Sequence, residues 1–192
     1  MWIDNGDTVL QLGAGVGCFT AILSYLVGSK GHVFAYEIEE PLAQRASENL
    51  THLSNVSIVF GDAVHAGDLP QLDHVIAFAG ATHPPLNWLD RLSSNGRMML
   101  PLTAADHKGF MMLLEREGGR YLVRSLGPCG YYHCNSARSE NESKALQNAL
   151  EGDFQGLKQI EELRVGQPPS QASECWYAGN NFWITKRSRQ AA

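Results

Sequence analysis

Short apolar runs alternate with amphipathic helical patterns along the first half of the chain. Each run is apolar at successive positions, as is typical of strands covered by helices on both faces. The runs are 8–12, 32–37, 56–60, 73–79 and 97–102. Helical patterns lie between them, with the following residues predicted to face inward: Ile22, Leu23, Leu26 and Val27; Leu42, Ala46, Leu50 and Leu53; and Leu86, Leu89 and Leu92. This alternation predicts a Rossmann-like, doubly wound α/β fold with a mostly parallel sheet.

Helix boundaries follow from the residues between these patterns. Gly28 is expected to end the first helix, Pro41 to open the second, and Asn95-Gly96 to end the third. The pattern then changes, because Gly118-Gly119 separates two strand-like runs and predicts an antiparallel hairpin.

The last third of the chain is predicted to carry helices and two final strands. A loop over 127–136 precedes a helix whose capping box runs from Ser139 to Glu142. A further helix is expected from Asp153, and a pair of strands over 175–187. The predicted inward residues of the helix from Asp153 are Phe154, Leu157, Ile160 and Leu163. Residues 165–173 form the one linker-like segment.

Three glycines follow the first predicted strand and lead directly into a helix. Gly13, Gly15 and Gly17 bring bare backbone and a helix N-terminus to the carboxyl edge of the sheet, where nucleotides bind. Glu37 ends the second strand, 20 residues after Gly17, and Asp62 follows the third. Taken singly, these features also fit a tight turn, a solvated glutamate and a helix N-cap. Together, at consecutive strand ends, they favour a bound nucleotide.

The glycine spacing separates two classes of nucleotide. Dinucleotide-binding enzymes use G-x-G-x-x-G/A, whereas this chain has G-x-G-x-G and places Cys18 where the small third residue is required. The spacing favours S-adenosylmethionine, with a dehydrogenase as the alternative.

Residues 5 to about 126 resemble class I S-adenosylmethionine-dependent methyltransferases, and most closely the protein-L-isoaspartate O-methyltransferase family. The matching blocks are "GDTVLQLGAGVGCFTAIL", "HVFAYEIEEPLAQRASENL", "NVSIVFGDA" and "HVIAFAGATHPPLNWLDRLSSNGRMMLPL", in order and spacing. The resemblance implies a seven-stranded methyltransferase sheet ending in an antiparallel hairpin. It also implies the cofactor-binding residues Gly13, Ala14, Gly15, Gly17, Glu37, Ile38, Asp62, Ala63 and Ala79. Glu37 would take the ribose, Asp62 with Ala63 the adenine, and 79–83 would line the methyl-transfer pocket, with S-adenosylhomocysteine as product.

The chain departs from that family in three places. Gln11 stands where the family usually has an acidic residue, and the first strand begins by residue 8, without the family's substantial N-terminal segment. The sheet face left bare is expected to be covered by the helices over 139–163, by a partner chain such as a second copy, or by a missing segment of a longer protein. The segment 127–136 also differs, which puts isoaspartyl specificity in question.

Methyl transfer from a sulfonium depends mainly on positioning, which can contribute ~7–11 kcal/mol. A carboxylate acceptor has a pKa of about 4 and needs no base at neutral pH. Thr82 and His83 are the candidate catalytic residues; His83 would be the base for a hydroxyl or amine acceptor, or else an ordinary loop histidine. Arg138 would either bind a substrate carboxylate or be solvated.

Cys129, His133 and Cys134 suggest a metal site, but a second ligand pair is missing nearby, so packed thiols are favoured and no metal is expected.

The 192 residues predict a single methyltransferase domain, with a cofactor-binding core over 1–126 and a C-terminal extension over 127–192. A net charge of −5 argues against nucleic-acid partners, and apolar runs well short of ~20 residues argue against membrane spans. Four scattered cysteines favour the cytoplasm.

These observations predict an O-methyltransferase that acts on a carboxylate of a protein, peptide or small molecule. Two alternatives stay open: a small-molecule or peptide-natural-product methyltransferase, and a non-catalytic S-adenosylmethionine-binding domain.

Overall fold

The structure, a computed structural model, describes residues 2–169 and 173–187. Residues 170–172 of the predicted linker therefore lie outside the described residues. The chain divides into two compact units, Met1–Ala79 with Pro85–Met98, and Gly80–Pro84 with Met99–Ala192. The single domain over 1–192 stays a prediction.

The first unit contains a parallel sheet with helices between its strands. Its elements are β1 (Thr8–Leu12), α1 (Cys18–Val27), β2 (His32–Glu37), α2 (Glu40–Asn49), β3 (Val56–Phe60), β4 (Leu72–Ala77), α3 (Leu86–Arg91) and the first part of β5 (Leu92–Thr103). The strand order is β3-β2-β1-β4-β5. β1 pairs in parallel with β2 and β4, and β2 pairs in parallel with β3. From β1 the chain adds strands outward to β3 and then returns to place β4 on the other side of β1. This reversal confirms the Rossmann-like, doubly wound prediction.

The predicted inward face of α1 is half wrong. Leu23 and Val27 are buried, but Ile22 and Leu26 are 53% and 41% exposed. Thr20 and Ser24 take their place in the interior. They can do so because the Thr20 hydroxyl donates to Gln11 and the Ser24 hydroxyl to Asn55, which satisfies both polar groups.

The other two helices also differ in detail from the prediction. In α2, Ala46 is buried as predicted, whereas Leu42 is 37% exposed. Leu50, just past the helix, is buried. α3 ends at Arg91 and not at Asn95-Gly96, because the chain continues from Leu92 as strand β5 beside β4.

The second unit is built from antiparallel strands and one helix. Its elements are the rest of β5, then β6 (Lys108–Glu117), β7 (Arg120–Gly130), α4 (Glu140–Gly152), β8 (Ile160–Val165), β9 (Cys175–Ala178) and β10 (Phe182–Lys186). The strand order is β5-β6-β7-β8-β10-β9. β6 and β7 form the predicted hairpin, with Gly118 and Gly119 both at positive φ as a tight two-residue turn requires. The described strands number ten, not the seven implied by the resemblance.

The helix predicted from Asp153 is wrong. A short 3-10 helix (Gly156–Gln159) leads straight into β8, which pairs antiparallel with β10. The apolar residues 157, 160 and 163 are buried, but Leu157 lies in the 3-10 helix, and cross-strand pairing, as of Leu163 with Ile184, determines the conformation of the other two. β7 also extends into the predicted loop as far as Gly130. The final pair of strands, β9 and β10, is confirmed.

Within the described ranges, none of the helices combines the length and apolar character that crossing a membrane requires.

Candidate functional site

The glycine turn after β1 is anchored to the neighbouring strand β2. The backbone N–H groups of Gly13 and Ala14 both donate to the Tyr36 carbonyl, at 2.9 and 3.0 Å. Gly15 and Gly17 have φ of +57° and +96°. A Cβ on Gly17 would lie 2.8 Å from Leu50 Cδ1, whereas a Cβ on Gly15 would meet nothing within 4 Å. Gly17 is therefore favoured by its left-handed backbone, and the Leu50 side chain would have to move to admit a Cβ there, whereas Gly15 opens onto free space.

Glu37, the last residue of β2, contacts this turn directly. Its Oε2 accepts from the Gly15 N–H at 2.7 Å, and its Oε1 accepts from the Glu39 N–H at 3.1 Å. The side chain is 6% exposed. A carboxylate offers about four acceptor positions, so two remain for a ligand diol. Ile38 follows and is 60% exposed.

Asp62 follows β3 and begins a short 3-10 helix, Ala63–His65. Its Oδ1 accepts from the Val64 N–H at 2.9 Å, so the N-cap interpretation is correct for this oxygen. Its Oδ2 lies 2.7 Å from His65 Nδ1. Ala63 is buried, and its carbonyl accepts from Trp88 Nε1 at 3.0 Å.

Gln11 supports the glycine turn from inside the unit. It is fully buried; its Oε1 accepts from the Thr20 hydroxyl at 2.8 Å and its Nε2 donates to the Gly13 carbonyl at 3.3 Å. A carboxylate at this position would lack the donor for Gly13. The amide is therefore matched to its surroundings.

The predicted cofactor residues all belong to the first unit, at the carboxyl ends of four neighbouring strands. They are Gly13, Ala14, Gly15 and Gly17 after β1, Glu37 and Ile38 at β2, Asp62 and Ala63 after β3, and Ala79 after β4. Among them, the hydrogen bond from the Gly15 N–H to Glu37 Oε2 joins the residues after β1 to those at β2.

Thr82 and His83 belong to the second unit and share one carboxylate oxygen. Oε2 of Glu142 accepts from the Thr82 hydroxyl at 2.7 Å and from His83 Nδ1 at 2.6 Å. Its Oε1 accepts from the Asn180 N–H at 3.0 Å. Burial raises the pKa of Glu142, but the hydrogen bonds from His83, Asn180 and Thr82 outweigh it and lower the pKa to about 2. Glu142 is therefore an anion, and the proton in the contact lies on Nδ1 of His83.

Sequence reasoning missed the role of Glu142 and of Tyr177. The capping box is half formed: Ser139 Oγ accepts from the Glu142 N–H at 3.4 Å, while the Glu142 side chain turns to His83. Tyr177 donates from its hydroxyl to the Thr82 carbonyl at 2.7 Å. Burial raises the pKa of Tyr177, and the charge of Glu142 adds to the effect. Local spacing carries no signal for contacts between residues this far apart in the chain.

Arg138 serves the interior of the second unit. Its Nη1 donates to the Gly80 carbonyl and the Thr103 hydroxyl at 3.0 and 2.9 Å, and its Nη2 donates to the Ala104 carbonyl at 3.0 Å. Burial lowers the pKa of Arg138. These bonds use its donors on the protein itself, so the substrate-binding hypothesis gains no support.

Metal-ligating side chains do not converge in the part of the chain that the structure describes, where no group of three or more could hold an ion. Burial raises the pKa of the Cys129 thiol to about 11, as for a packed thiol.

Comparison with known proteins gives a consistent result. The family model of protein-L-isoaspartate(D-aspartate) O-methyltransferase matches residues 1–138. Protein-L-isoaspartate O-methyltransferase 2 of Syntrophobacter fumaroxidans is 35% identical over 133 residues, covering 67% of this chain and 53% of that protein. The Ignicoccus hospitalis protein-L-isoaspartate O-methyltransferase is 33% identical over 133 residues, covering 66% of this chain and 62% of that protein. The chain thus spans about half to two thirds of the length of these relatives.

Solved structures show the same fold. A protein-L-isoaspartate O-methyltransferase structure superposes with a TM-score of 0.64 at 18% identity, covering 97% of this chain and 66% of the other. A putative one from Plasmodium falciparum, in complex with S-adenosyl-L-homocysteine, has a TM-score of 0.57 at 17% identity, covering 68% and 66%. On the family match over residues 1–138, this chain belongs to the protein-L-isoaspartate(D-aspartate) O-methyltransferase family.

Proposed function

We propose that this chain binds S-adenosylmethionine and transfers its methyl group to a carboxylate of a protein, peptide or small molecule, with the L-isoaspartyl side chain as the first candidate. The observation that carries the proposal is the contact between Glu37 and Gly15, which sets a buried carboxylate beside the glycine turn at the sheet edge. The family match and the relatives' names support the choice of reaction. Location in the cytoplasm, the absence of nucleic-acid partners and self-association stay predictions.

The residues in the first unit fit such a cofactor. Glu37 keeps two acceptor positions for the ribose hydroxyls, since its two described bonds use only half of a carboxylate's capacity. The space beside Gly15 is large enough that a Cβ would meet nothing within 4 Å. Asp62 and Ala63 would hold the adenine.

When bound, the cofactor supplies an electrophilic methyl group on a sulfonium. The protein's part is positional: the glycine turn and Glu37 hold the nucleoside in one orientation, because Gly13 and Ala14 are themselves anchored to Tyr36. Holding reactants in a near-attack geometry contributes ~7–11 kcal/mol. The catalytic roles predicted for Thr82 and His83 stay predictions; Thr82 is fully buried and its hydroxyl donates to Glu142, which leaves His83 as the one of the two that could reach an acceptor. An ionised carboxylate then reacts without a base.

A second candidate, a hydroxyl acceptor, is favoured by one specific observation. Glu142 accepts from Nδ1 of His83 at 2.6 Å, so in the neutral ring Nε2 is the acceptor nitrogen and can take a proton. For this acceptor His83 would act as the base. The two candidates differ in pH dependence, because a base must be unprotonated whereas a carboxylate is ionised throughout the range near neutrality.

The test combines binding with methyl transfer. Thermal unfolding is followed with S-adenosylmethionine and with NAD; a true ligand at about a hundredfold excess over Kd stabilises the fold by ~2.7 kcal/mol. Labelled methyl transfer is then measured to an L-isoaspartyl peptide, with the L-aspartyl peptide of the same sequence as control.

The outcomes separate the proposal from its alternatives. Label on the isoaspartyl peptide alone supports the proposal. Cofactor binding with label on neither peptide redirects the search to small-molecule or hydroxyl acceptors, or to a domain that binds without catalysis. Stabilisation by NAD alone contradicts the methyltransferase assignment.

A further inference from the structure

Two phenylalanine rings stack at the sheet edge of the first unit. Phe19 lies in the first turn of α1 and Phe78 directly follows β4. Their ring centroids are 4.7 Å apart, with 24° between the planes. The Phe78 N–H donates to the Leu12 carbonyl at 2.9 Å, which holds this residue level with the end of β1.

The aromatic pair stands beside the glycine turn. A Cβ placed on Gly13 would lie 3.4 Å from Phe78 Cβ, so the two residues are in van der Waals proximity. Phe19 is 56% exposed, although a large aromatic ring gains stability from full burial. The exposed part of the Phe19 ring is thus accessible to a ligand.

The strand order gives the direction in which a nucleoside would extend. The residues along the edge follow the strand order: Asp62 comes after β3, Glu37 ends β2, Gly13 comes after β1 and Phe78 comes after β4. Neighbouring strands lie about 4.8 Å apart. If the adenine is at Asp62 and the ribose at Glu37, the remainder of the cofactor continues toward Gly13 and Phe78. The part next to the ribose is the sulfonium.

We infer that Phe19 and Phe78 form an aromatic contact for the sulfonium, which adds to the affinity for the methyl donor and not to the affinity for its demethylated product. This inference rests on the proposed function. A sulfonium carries a permanent positive charge, which the face of an aromatic ring attracts. S-adenosylhomocysteine has a neutral thioether in the same place. The two ligands share every other charged group, so their affinities differ through this contact.

The test measures both ligands by titration calorimetry on the full chain and its variants. Phe19→Leu keeps an apolar side chain and removes the ring face. We expect the Kd of S-adenosylmethionine to rise roughly 3- to 10-fold and that of S-adenosylhomocysteine to change less than about 2-fold. Phe19→Trp, with a better ring for cations, should retain the affinity for S-adenosylmethionine. The matched control is Tyr25→Leu, which removes an 85% exposed ring from the same helix and should change neither Kd.

The results separate this inference from the function on which it rests. Equal weakening of both ligands by Phe19→Leu, or no weakening, overturns the sulfonium contact and leaves cofactor binding intact. Failure of the unaltered chain to bind either ligand overturns both. Phe78→Leu adds a second measurement, and if it does not fold, Phe19→Leu decides alone.

Discussion

Oε2 of Glu142 lies 2.6 Å from Nδ1 of His83, although 59 positions separate the two residues in the chain. Glu142 is 3% exposed, and an ion buried to this degree is costly unless hydrogen bonds compensate it. Thr82 and the backbone of Asn180 donate the other hydrogen bonds. The contact with Glu142 holds the His83 ring in one orientation, with Nδ1 as the hydrogen-bond donor.

Replacing Glu142 by glutamine should destabilise the fold. The amide NH2 would face groups that are already donors, and we expect the free energy of unfolding to fall by ~2–4 kcal/mol. Urea unfolding at pH 7 measures this. Glu140→Gln is the control on the same helix, because the Glu140 side chain is 83% exposed and its ion pair with Lys144 is worth little. Similar losses in the two variants would contradict the proposed role of Glu142.

The same carboxylate should give stability a specific pH dependence. The pKa of Glu142 is about 2 in the folded state against an ordinary value of 4.5. Its contribution is therefore complete above about pH 4.5 and is lost as the pH falls toward 2, by roughly 3 kcal/mol in total. The difference in unfolding free energy between the unaltered chain and Glu142→Gln should shrink over this window. A difference that stays constant from pH 6 to 2.5 would show that the pKa of Glu142 is not depressed.

Glu37→Ala should weaken cofactor binding by ~1.5–3 kcal/mol, as expected for lost hydrogen bonds to a charged group. Calorimetric titration with S-adenosylmethionine measures the effect. Glu39→Ala removes the same charge from an exposed side chain two positions later and should leave the Kd unchanged. Equal Kd values for all three proteins would place the ribose elsewhere.

The second and third glycines of the turn should respond differently to alanine. Gly17→Ala forces a Cβ to within 2.8 Å of Leu50 at φ +96°, and we expect a loss of unfolding free energy of ~2–4 kcal/mol. Gly15→Ala has free space and should lose only ~1–2 kcal/mol for its left-handed backbone, while weakening cofactor binding. In a Leu50→Ala background the loss caused by Gly17→Ala should be smaller, because the side chain that the new Cβ would meet is then absent. Equal destabilisation by the two single variants would rule out the steric explanation.

Gln11→Glu should not improve this protein, even though it introduces the acidic residue that the family usually has. The buried carboxylate would face the Gly13 carbonyl, 3.3 Å from the present amide nitrogen, without a donor between them. We expect a loss of ~1–3 kcal/mol in thermal or urea unfolding. Gln71→Glu, at an exposed position, is the control for added charge. Unchanged stability in Gln11→Glu would show that the site accepts a carboxylate.

The sequence predicted β1, β2 and β3 to the residue, because each is a short run of mainly apolar, β-favouring residues bounded by polar or turn-forming ones. Prediction from the sequence failed where one spacing of apolar residues fits both a helix and a strand. The apolar residues 157, 160 and 163 fit a helical face, yet pairing with β10 makes Ile160–Val165 a strand. The face of α1 was misjudged for a related reason, since Thr20 and Ser24 are buried only because partners in other elements satisfy their hydroxyls.

The sequence by itself determined three local features: the glycine turn, the acidic residues at strand ends and the hairpin at Gly118-Gly119. These depend on local conformation and on short-range periodicity, which are written in adjacent residues. Only the tertiary structure decided the partners of Glu142, the stack of Phe19 on Phe78 and the fit of Gln11 beneath Gly13. Each of these is a contact between residues brought together by packing, and no local pattern specifies which distant side chain will complete it.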